Sequence, residues 1–139
     1  MHERQKYMKF TLVIVAVIIG LGGLFFATQT TGTKNKNSAP SLTIQTIKND
    51  VANGGQLIDV RTPDEYASGH IDGAINLSLQ DIQAGTTPTI AKDKPVYLYC
   101  HSGNRSSQAT AILKTAGYRD VIDLGAIAHV QTLGGIIKT

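Results

Sequence analysis

The sequence predicts an α/β domain in which a parallel sheet is flanked by helices, preceded by one N-terminal transmembrane helix. From Ser41 onward, short apolar runs rich in β-branched residues alternate with segments of helical periodicity. Continuous apolar strands of this kind are typical of parallel sheets, because helices cover both faces of such a sheet. An uncharged run of eighteen residues, Phe10–Ala27, stands before this region and has the composition of a membrane span.

The N-terminal segment has the charge pattern of a membrane anchor. Residues 10–27 would extend about 27 Å as a helix, close to the ~30 Å hydrocarbon core of a bilayer. Residues 1–9 include Arg4, Lys6 and Lys9. The positive-inside rule therefore predicts a short cytoplasmic basic segment, a single-pass anchor and a domain outside the cytoplasm.

A cleaved signal peptide is the alternative for this segment. Its apolar core is usually about 7–15 residues long and ends in a small-residue cleavage site. Here Phe25 stands two places before Ala27, which makes a poor cleavage site, so we favour an uncleaved anchor. Residues 28–40 are polar and contain glycine, which predicts a flexible linker, and residues 41–139 form the predicted domain.

Charge and composition exclude several classes of protein. Residues 1–37 hold five basic residues against one acidic residue, whereas residues 38–139 hold eight basic against nine acidic. The basic pI therefore belongs to the N-terminal segment, and we expect no nucleic-acid partner for the domain. The single cysteine excludes an internal disulfide, and the four histidines lack metal-ligand spacing, so we expect no metal and no cofactor.

The first half of the domain begins with a predicted helix and strand. Thr43 can cap a helix that ends at residues 53–55, Asn-Gly-Gly. Its apolar positions share one face and are Ile44, Ile47 and Val51. The β-branched run at Gln56–Val60 predicts a buried strand. In the next four residues, Thr62–Glu65, a threonine cap, a proline and a glutamate three residues after the cap predict a helix start.

The second half of the domain continues the alternation. Gly69–Leu77 predicts a turn and a short strand, and a short helix fits residues 79–84. Pro95–Tyr99 predicts an apolar strand, followed by a helical stripe from Ser106. Val121–Leu124 predicts another strand, with room for a small C-terminal helix after it.

The only cysteine, Cys100, directly follows a predicted strand, at the sheet edge where ligands bind in such folds. Five residues, HSGNR, separate it from Ser106, and so short a loop directs several backbone N–H groups into one concavity. Gly103 permits the tight turn and Arg105 adds a permanent positive charge. We therefore predict a nucleophilic Cys100 thiolate with a pKa below the usual ~8.5, with a buried structural cysteine as the alternative.

Other polar residues are predicted to support this loop. Asp59 ends its strand at the same sheet edge, where it can brace the loop through backbone N–H groups, Arg61 or Arg105. His101 could assist proton transfer, although a solvent-facing loop histidine is the simpler interpretation. Ser106 can serve as a plain helix cap.

Three segments, "LIDVRTPDEYASGHIDGAINL", "VYLYCHSGNRSSQA" and "GYRDVIDLGA", together resemble the single-domain rhodanese family of sulfurtransferases from Ser41 to at least Ala126. The resemblance implies a five-stranded parallel sheet flanked by helices and a persulfide on Cys100 as the catalytic intermediate. It also implies that backbone amides of the loop hold the substrate, and the residues concerned are His101, Ser102, Gly103, Asn104, Arg105 and Ser106.

The activity that the resemblance implies is transfer of sulfane sulfur from thiosulfate or a related donor to a thiophilic acceptor such as cyanide or a thiol. Two departures stand out. Ala126 and Val130 occupy a segment where the family often has two glycines and a tryptophan, so we expect an altered C-terminal cover. The loop is also less basic than those of the most thiosulfate-adapted members, which leaves the donor open.

Two other functions compete with this interpretation. A related phosphatase class uses C-x-x-x-x-x-R, but here the arginine comes one position early at Arg105, and Ser106 stands in its place. A non-catalytic binding module, or a persulfide carrier, at the cell surface is the more serious alternative. We expect a monomeric enzyme with small-molecule donor and acceptor, attached to the cell membrane through residues 10–27.

Overall fold

The structure is a computed structural model, and it describes residues 41–139. The predicted basic segment, membrane anchor and linker, at 1–9, 10–27 and 28–40, lie outside the described residues. Within 41–139, none of the helices is both long enough and apolar enough to cross a membrane.

The described chain alternates strands with helices, as the sequence predicted. The helices are α1 (Ile44–Ala52), α2 (Pro63–Ala67), α3 (Leu79–Gln83), α4 (Asn104–Thr115) and α5 (Ile127–Thr132). The strands are β1 (Gln56–Asp59), β2 (His70–Ile71), β3 (Ile75–Asn76), β4 (Val96–Cys100), β5 (Val121–Ala126) and β6 (Ile137–Lys138).

The main sheet is parallel, with strand order β3-β1-β4-β5. Its two inner strands are aligned so that Asp59, at the end of β1, lies opposite Tyr99, one residue before the end of β4. The parallel sheet of the described residues has four strands, so the prediction of five is wrong in number. The strands predicted segment by segment are four, and each of them contributes a strand to this sheet. Within the predicted 69–77 segment, a turn at Gly73 with φ of +88° separates β2 from β3. Only β3 joins the main sheet, because β2 pairs antiparallel with β6.

Helices cover both faces of this sheet, as predicted. Alternate residues of a strand point to opposite faces, so the two inner strands divide their side chains between two apolar clusters. On one face, Tyr97 and Tyr99 pack with Ile47 of α1 and Val130 of α5. On the other face, the core is formed with α3 and α4 by Ile58, Val96, Leu98, Cys100, Ile82, Ala109 and Leu113. The thiol thus belongs to the face that α4 covers.

Local sequence signals fix where most helices start. Thr43 caps α1 by accepting the N–H of Thr46, and Thr62 and Glu65 form the reciprocal capping box expected for α2. Helix α4 differs, because it starts at Asn104 rather than at Ser106. Gly103, its N-cap residue, adopts φ of +98° and so lets the chain enter the helix two residues earlier than predicted.

Candidate active site

Cys100 is the last residue of β4, and its side chain is completely buried. It lies opposite Ala126 of the neighbouring strand β5. Because α4 starts at Asn104, the connection from strand to helix is only residues 101–103, shorter than the five residues predicted. The sulfur is therefore held directly under the first turn of α4.

Two polar groups of this tight turn lie against the sulfur, one N–H donor and one hydroxyl. The backbone N–H of Gly103 points at Sγ of Cys100 across 3.0 Å. The hydroxyl oxygen of Ser106 lies 3.7 Å from the same sulfur and donates its own proton to the carbonyl of Gly103 at 3.0 Å. Ser106 is fully buried, so its hydroxyl is fixed between the turn and the thiol.

These contacts favour the ionised thiol. Burial raises the pKa of Cys100, but N–H groups of Ser106 and Gly103, the Ser106 hydroxyl and the N–H of Ser102 lower it by more. The net pKa therefore lies below its ordinary value. Helix α4 contributes in the same direction, because an anion at a helix N-terminus is stabilised by the helix dipole. A thiolate in this environment is the reactive form of cysteine.

Of the partners considered for Asp59, Arg105 is not the one found, because Arg105 pairs with Glu65 instead. Its Nη1 and Nη2 atoms donate to the Oε2 and Oε1 atoms of Glu65 at 2.6 Å and 2.8 Å. The hydrogen bonds from Arg105, opposed by burial and aided by hydrogen bonds from Thr62, hold the pKa of Glu65 at about 2. Arg105 thus carries a fixed carboxylate partner beside the site.

Glu65 is a site residue that sequence reasoning missed. It was recognised as a capping residue of α2, and the structure confirms this, since its Oε2 accepts from the Thr62 N–H at 3.1 Å. The same carboxylate also binds Arg105, forty residues away in the chain. The available signal was the lone arginine of the loop, which needed an acidic partner, but nothing in the sequence specified which one.

Asp59 supports the site through Arg61, one of the two arginine partners considered for it. The Arg61 guanidinium donates to Asp59 Oδ2 at 2.6 Å and to the carbonyl of Gly69 at 2.6 Å. Both members of this ion pair are buried. Asn76 donates to the carbonyls of Asp59 and Arg61, at 2.9 Å each, and so ties this corner to β3. The corner leads directly into α2, which carries Glu65.

The remaining predicted loop residues lie at the surface. The side chains of His101, Ser102 and Asn104 are exposed. Asn104 Oδ1 accepts a hydrogen bond from Gln108 one turn along α4, at 2.8 Å. Ser102 contributes its backbone N–H to the anionic form of the thiol. The arrangement as a whole is a buried cysteine sulfur beside backbone N–H groups, beneath a loop whose outer side chains are exposed to solvent.

The fold and the site define an α/β protein with a buried cysteine at the end of an inner parallel strand, under the N-terminus of a helix. Residues 43–126 match the sequence profile of the Rhodanese-like domain, and the chain belongs to that family. The match includes β1, the β4–α4 turn with Cys100, and β5.

Individual relatives agree with this assignment. The chain is 44% identical over 83 residues to YqhL of Bacillus subtilis, an alignment that covers 60% of this chain and 64% of YqhL, just under two thirds of that protein. It is 35% identical over 80 residues to thiosulfate sulfurtransferase PspE of Escherichia coli, covering 57% of this chain and 68% of PspE. A solved rhodanese-like domain from Anabaena is similar with a TM-score of 0.55 and 29% identity, over 60% of this chain and 98% of that one.

Proposed function

We propose that this protein is a sulfurtransferase that moves sulfane sulfur from thiosulfate or a related donor to a thiophilic acceptor through a persulfide on Cys100. The observation that carries the proposal is the Gly103 N–H that points at Sγ of Cys100 across 3.0 Å, at the start of α4. The similarity to PspE, which is named as a thiosulfate sulfurtransferase, supports the type of reaction.

In the first half-reaction the Cys100 thiolate attacks the sulfane sulfur of the donor. A bond forms between Sγ and that sulfur while the bond between the donor's two sulfurs breaks. With thiosulfate, sulfite leaves with the electron pair of the broken bond, and the enzyme retains an anionic persulfide. Because the lowered pKa of Cys100 favours the thiolate, this step needs no general base.

In the second half-reaction the acceptor attacks the outer sulfur of the persulfide. The bond between the two sulfurs of the persulfide breaks, and its electrons return to Cys100 as a thiolate. The N–H groups of Ser102, Gly103 and Ser106 stabilise that thiolate, which makes it a good leaving group. The same N–H groups thus serve both steps, because Cys100 is a thiolate at the start of the first half-reaction and again at the end of the second.

The buried pair of Asp59 and Arg61 serves the reaction indirectly in this proposal. It fixes the corner between β1 and α2, and α2 carries Glu65, the partner of Arg105. The exposed side chains of His101, Ser102 and Asn104 lie on the solvent side of the loop, where they can contact donor and acceptor. The enzyme would act outside the cytoplasm, with residues 10–27 as its membrane anchor.

The test is the mass of the intact chain after exposure to thiosulfate. We expect the mass to rise by one sulfur atom, cyanide to reverse the change, and steady-state kinetics to follow a ping-pong pattern. Cys100→Ser should gain no sulfur, because a serine hydroxyl stays protonated here. Ser107→Ala is the control, since Ser107 is an exposed residue of α4. Undiminished thiosulfate:cyanide activity in Cys100→Ser would favour a binding module instead.

A further inference from the structure

The charge of the loop is balanced by a residue from another part of the chain. Within residues 100–106, Arg105 is the only permanent cation. Its guanidinium is engaged by both carboxylate oxygens of Glu65, in a paired geometry that fixes its orientation. With Cys100 as the thiolate that sulfur transfer requires, Cys100, Arg105 and Glu65 together carry one net negative charge before any donor arrives.

Arg105 lies near the thiol because of its place at the start of α4. It is the second residue of that helix, and the N–H of the N-cap residue, Gly103, lies 3.0 Å from Sγ of Cys100. Hydrogen bonds to Glu65 raise the pKa of Arg105 against the opposing effect of burial, and the charges of Glu65 and Cys100 raise it further. With both oxygens of Glu65 bound to the guanidinium, its positive charge is balanced by the carboxylate before a donor anion arrives.

The ion pair at the end of β1 adds no net positive charge to the site. Arg61 is paired with Asp59, and both are buried, so this pair adds no net charge. Glu65 is held in place by a second set of contacts, from the N–H and the hydroxyl of Thr62 to Oε2 at 3.1 Å and 3.0 Å. The carboxylate thus stays against Arg105 even while a ligand binds.

We propose that Glu65 determines which donors Cys100 accepts: by neutralising Arg105, it makes the site select sulfane-sulfur donors with at most one negative charge over dianionic thiosulfate. This inference rests on the proposed sulfur transfer and narrows its donor class. A thiosulfonate monoanion or a hydropersulfide belongs to the favoured class. Glu65 acts through Arg105 and is a specificity-determining residue rather than a catalytic one.

Sulfur transfer from either class of donor forms the same bond to Sγ and breaks the corresponding sulfur–sulfur bond of the donor. With an alkylthiosulfonate, Cys100 attacks the terminal sulfur, a new bond to Sγ forms, and an alkylsulfinate monoanion leaves with the electron pair. With thiosulfate the leaving group is the sulfite dianion. The two reactions differ by one negative charge on donor and leaving group, so their rate ratio reports the electrostatics of the site.

The first experiment measures charge selection at the thiol independently of sulfur transfer. Cys100 is the only thiol of the full chain, so alkylation by neutral iodoacetamide and by anionic iodoacetate reports one site. We expect Glu65→Gln to raise the ratio of the iodoacetate alkylation rate to the iodoacetamide alkylation rate by roughly three- to tenfold. This is the size of effect expected from removing one partly exposed charge near the thiol. Glutamine keeps the capping box, since it is accepted at that position.

The second experiment measures sulfur loading from methanethiosulfonate and from thiosulfate. We expect Glu65→Gln to raise kcat/KM for thiosulfate relative to methanethiosulfonate by a similar roughly three- to tenfold factor. A merely structural role for Glu65 would lower both values together and leave their ratio unchanged. The ratio therefore separates donor selection from damage to α2.

The matched control is Asp64→Asn. Asp64 is an exposed neighbour of Glu65 in α2, so the substitution removes the same charge from the same helix. We expect it to change neither ratio. Unchanged ratios in Glu65→Gln, or an equal change in Asp64→Asn, would overturn the inference. Failure of both donors to load sulfur, with the alkylation ratio shifted as expected, would refute the proposed function while the charge effect of Glu65 stands.

Discussion

The backbone N–H of Gly103 lies 3.0 Å from Sγ of Cys100, and Gly103 reaches this geometry with φ of +98°. A residue with a side chain is strained at that φ. Glycine at this position therefore serves both the conformation of the turn and the contact of its N–H with the sulfur. The turn that starts α4 is also the turn whose N–H group donates a hydrogen bond to the sulfur. Changes in this loop should therefore alter stability and reactivity together.

The rate of Cys100 alkylation should depend on pH with an inflection below that of a free thiol. The N–H groups of the loop lower its pKa by more than burial raises it. With iodoacetamide in excess, the rate should rise with pH through this lowered pKa and then level off. The chain unfolded in urea supplies the control, with an inflection near ~8.5. An inflection of the folded chain at or above that value would contradict the prediction.

The same pKa shift links the thiol to stability. The ionised thiol stabilises the fold at pH values above its unfolded pKa, and this contribution is lost as pH falls through the lower, folded pKa. Cys100→Ala should remove this part of the pH dependence of the free energy of unfolding. Urea titrations of both chains over a series of pH values would measure it.

Gly103→Ala should destabilise the fold by about 1–2 kcal/mol, since alanine is strained in the left-handed region. It should also slow alkylation of Cys100, because relief of the strain moves the N–H away from the sulfur. The matched control is Gly85→Ala. Gly85 has φ of +99° with open space where a Cβ would stand. We expect the control to lose similar stability at an unchanged alkylation rate, and equal rates in the two variants would refute the role of the Gly103 N–H.

Asp59→Asn should destabilise the fold by about 3–5 kcal/mol, because it leaves the buried Arg61 guanidinium without a counter-charge. Urea denaturation would give the free energy of unfolding. Asp72→Asn is the control, since its ion pair with Lys48 is exposed, with side chains 44% and 42% accessible. Exposed pairs contribute about 0–1 kcal/mol. Comparable losses in the two variants would show that the buried pair has no special role.

The chain should remain in the membrane pellet after carbonate extraction, with the domain accessible to protease on intact cells. Replacing Ile18 and Leu21 by lysine should release it, since each charge at the centre of a span costs about 2.5–3.5 kcal/mol. Lysine at Gln29 and Thr31, in the predicted linker, is the control and should leave the pellet unchanged. A shorter soluble form that starts near Thr28 would show a cleaved signal instead.

Much of the fold followed from the sequence alone. Apolar periodicity located β1, β4 and β5, and the capping residues Thr43 and Thr62 located the first two helices. These signals are local, because a cap involves residues three positions apart and a buried strand needs only a short apolar run. Cys100 was placed at the sheet edge by the same local reasoning.

What only the tertiary structure decided were contacts between distant residues. The pairing of β2 with β6 joins His70 to Lys138 in a separate antiparallel pair, beside the four-stranded parallel sheet of residues 41–139. The partner of Arg105 is Glu65, forty residues earlier, whereas Asp59 pairs with Arg61, one of the alternatives considered for it. Such pairs depend on how the elements pack, and several acidic residues were equally eligible in the sequence. The sequence by itself thus determined where Cys100 and its loop lie, whereas the fold decided which charge pairs with Arg105.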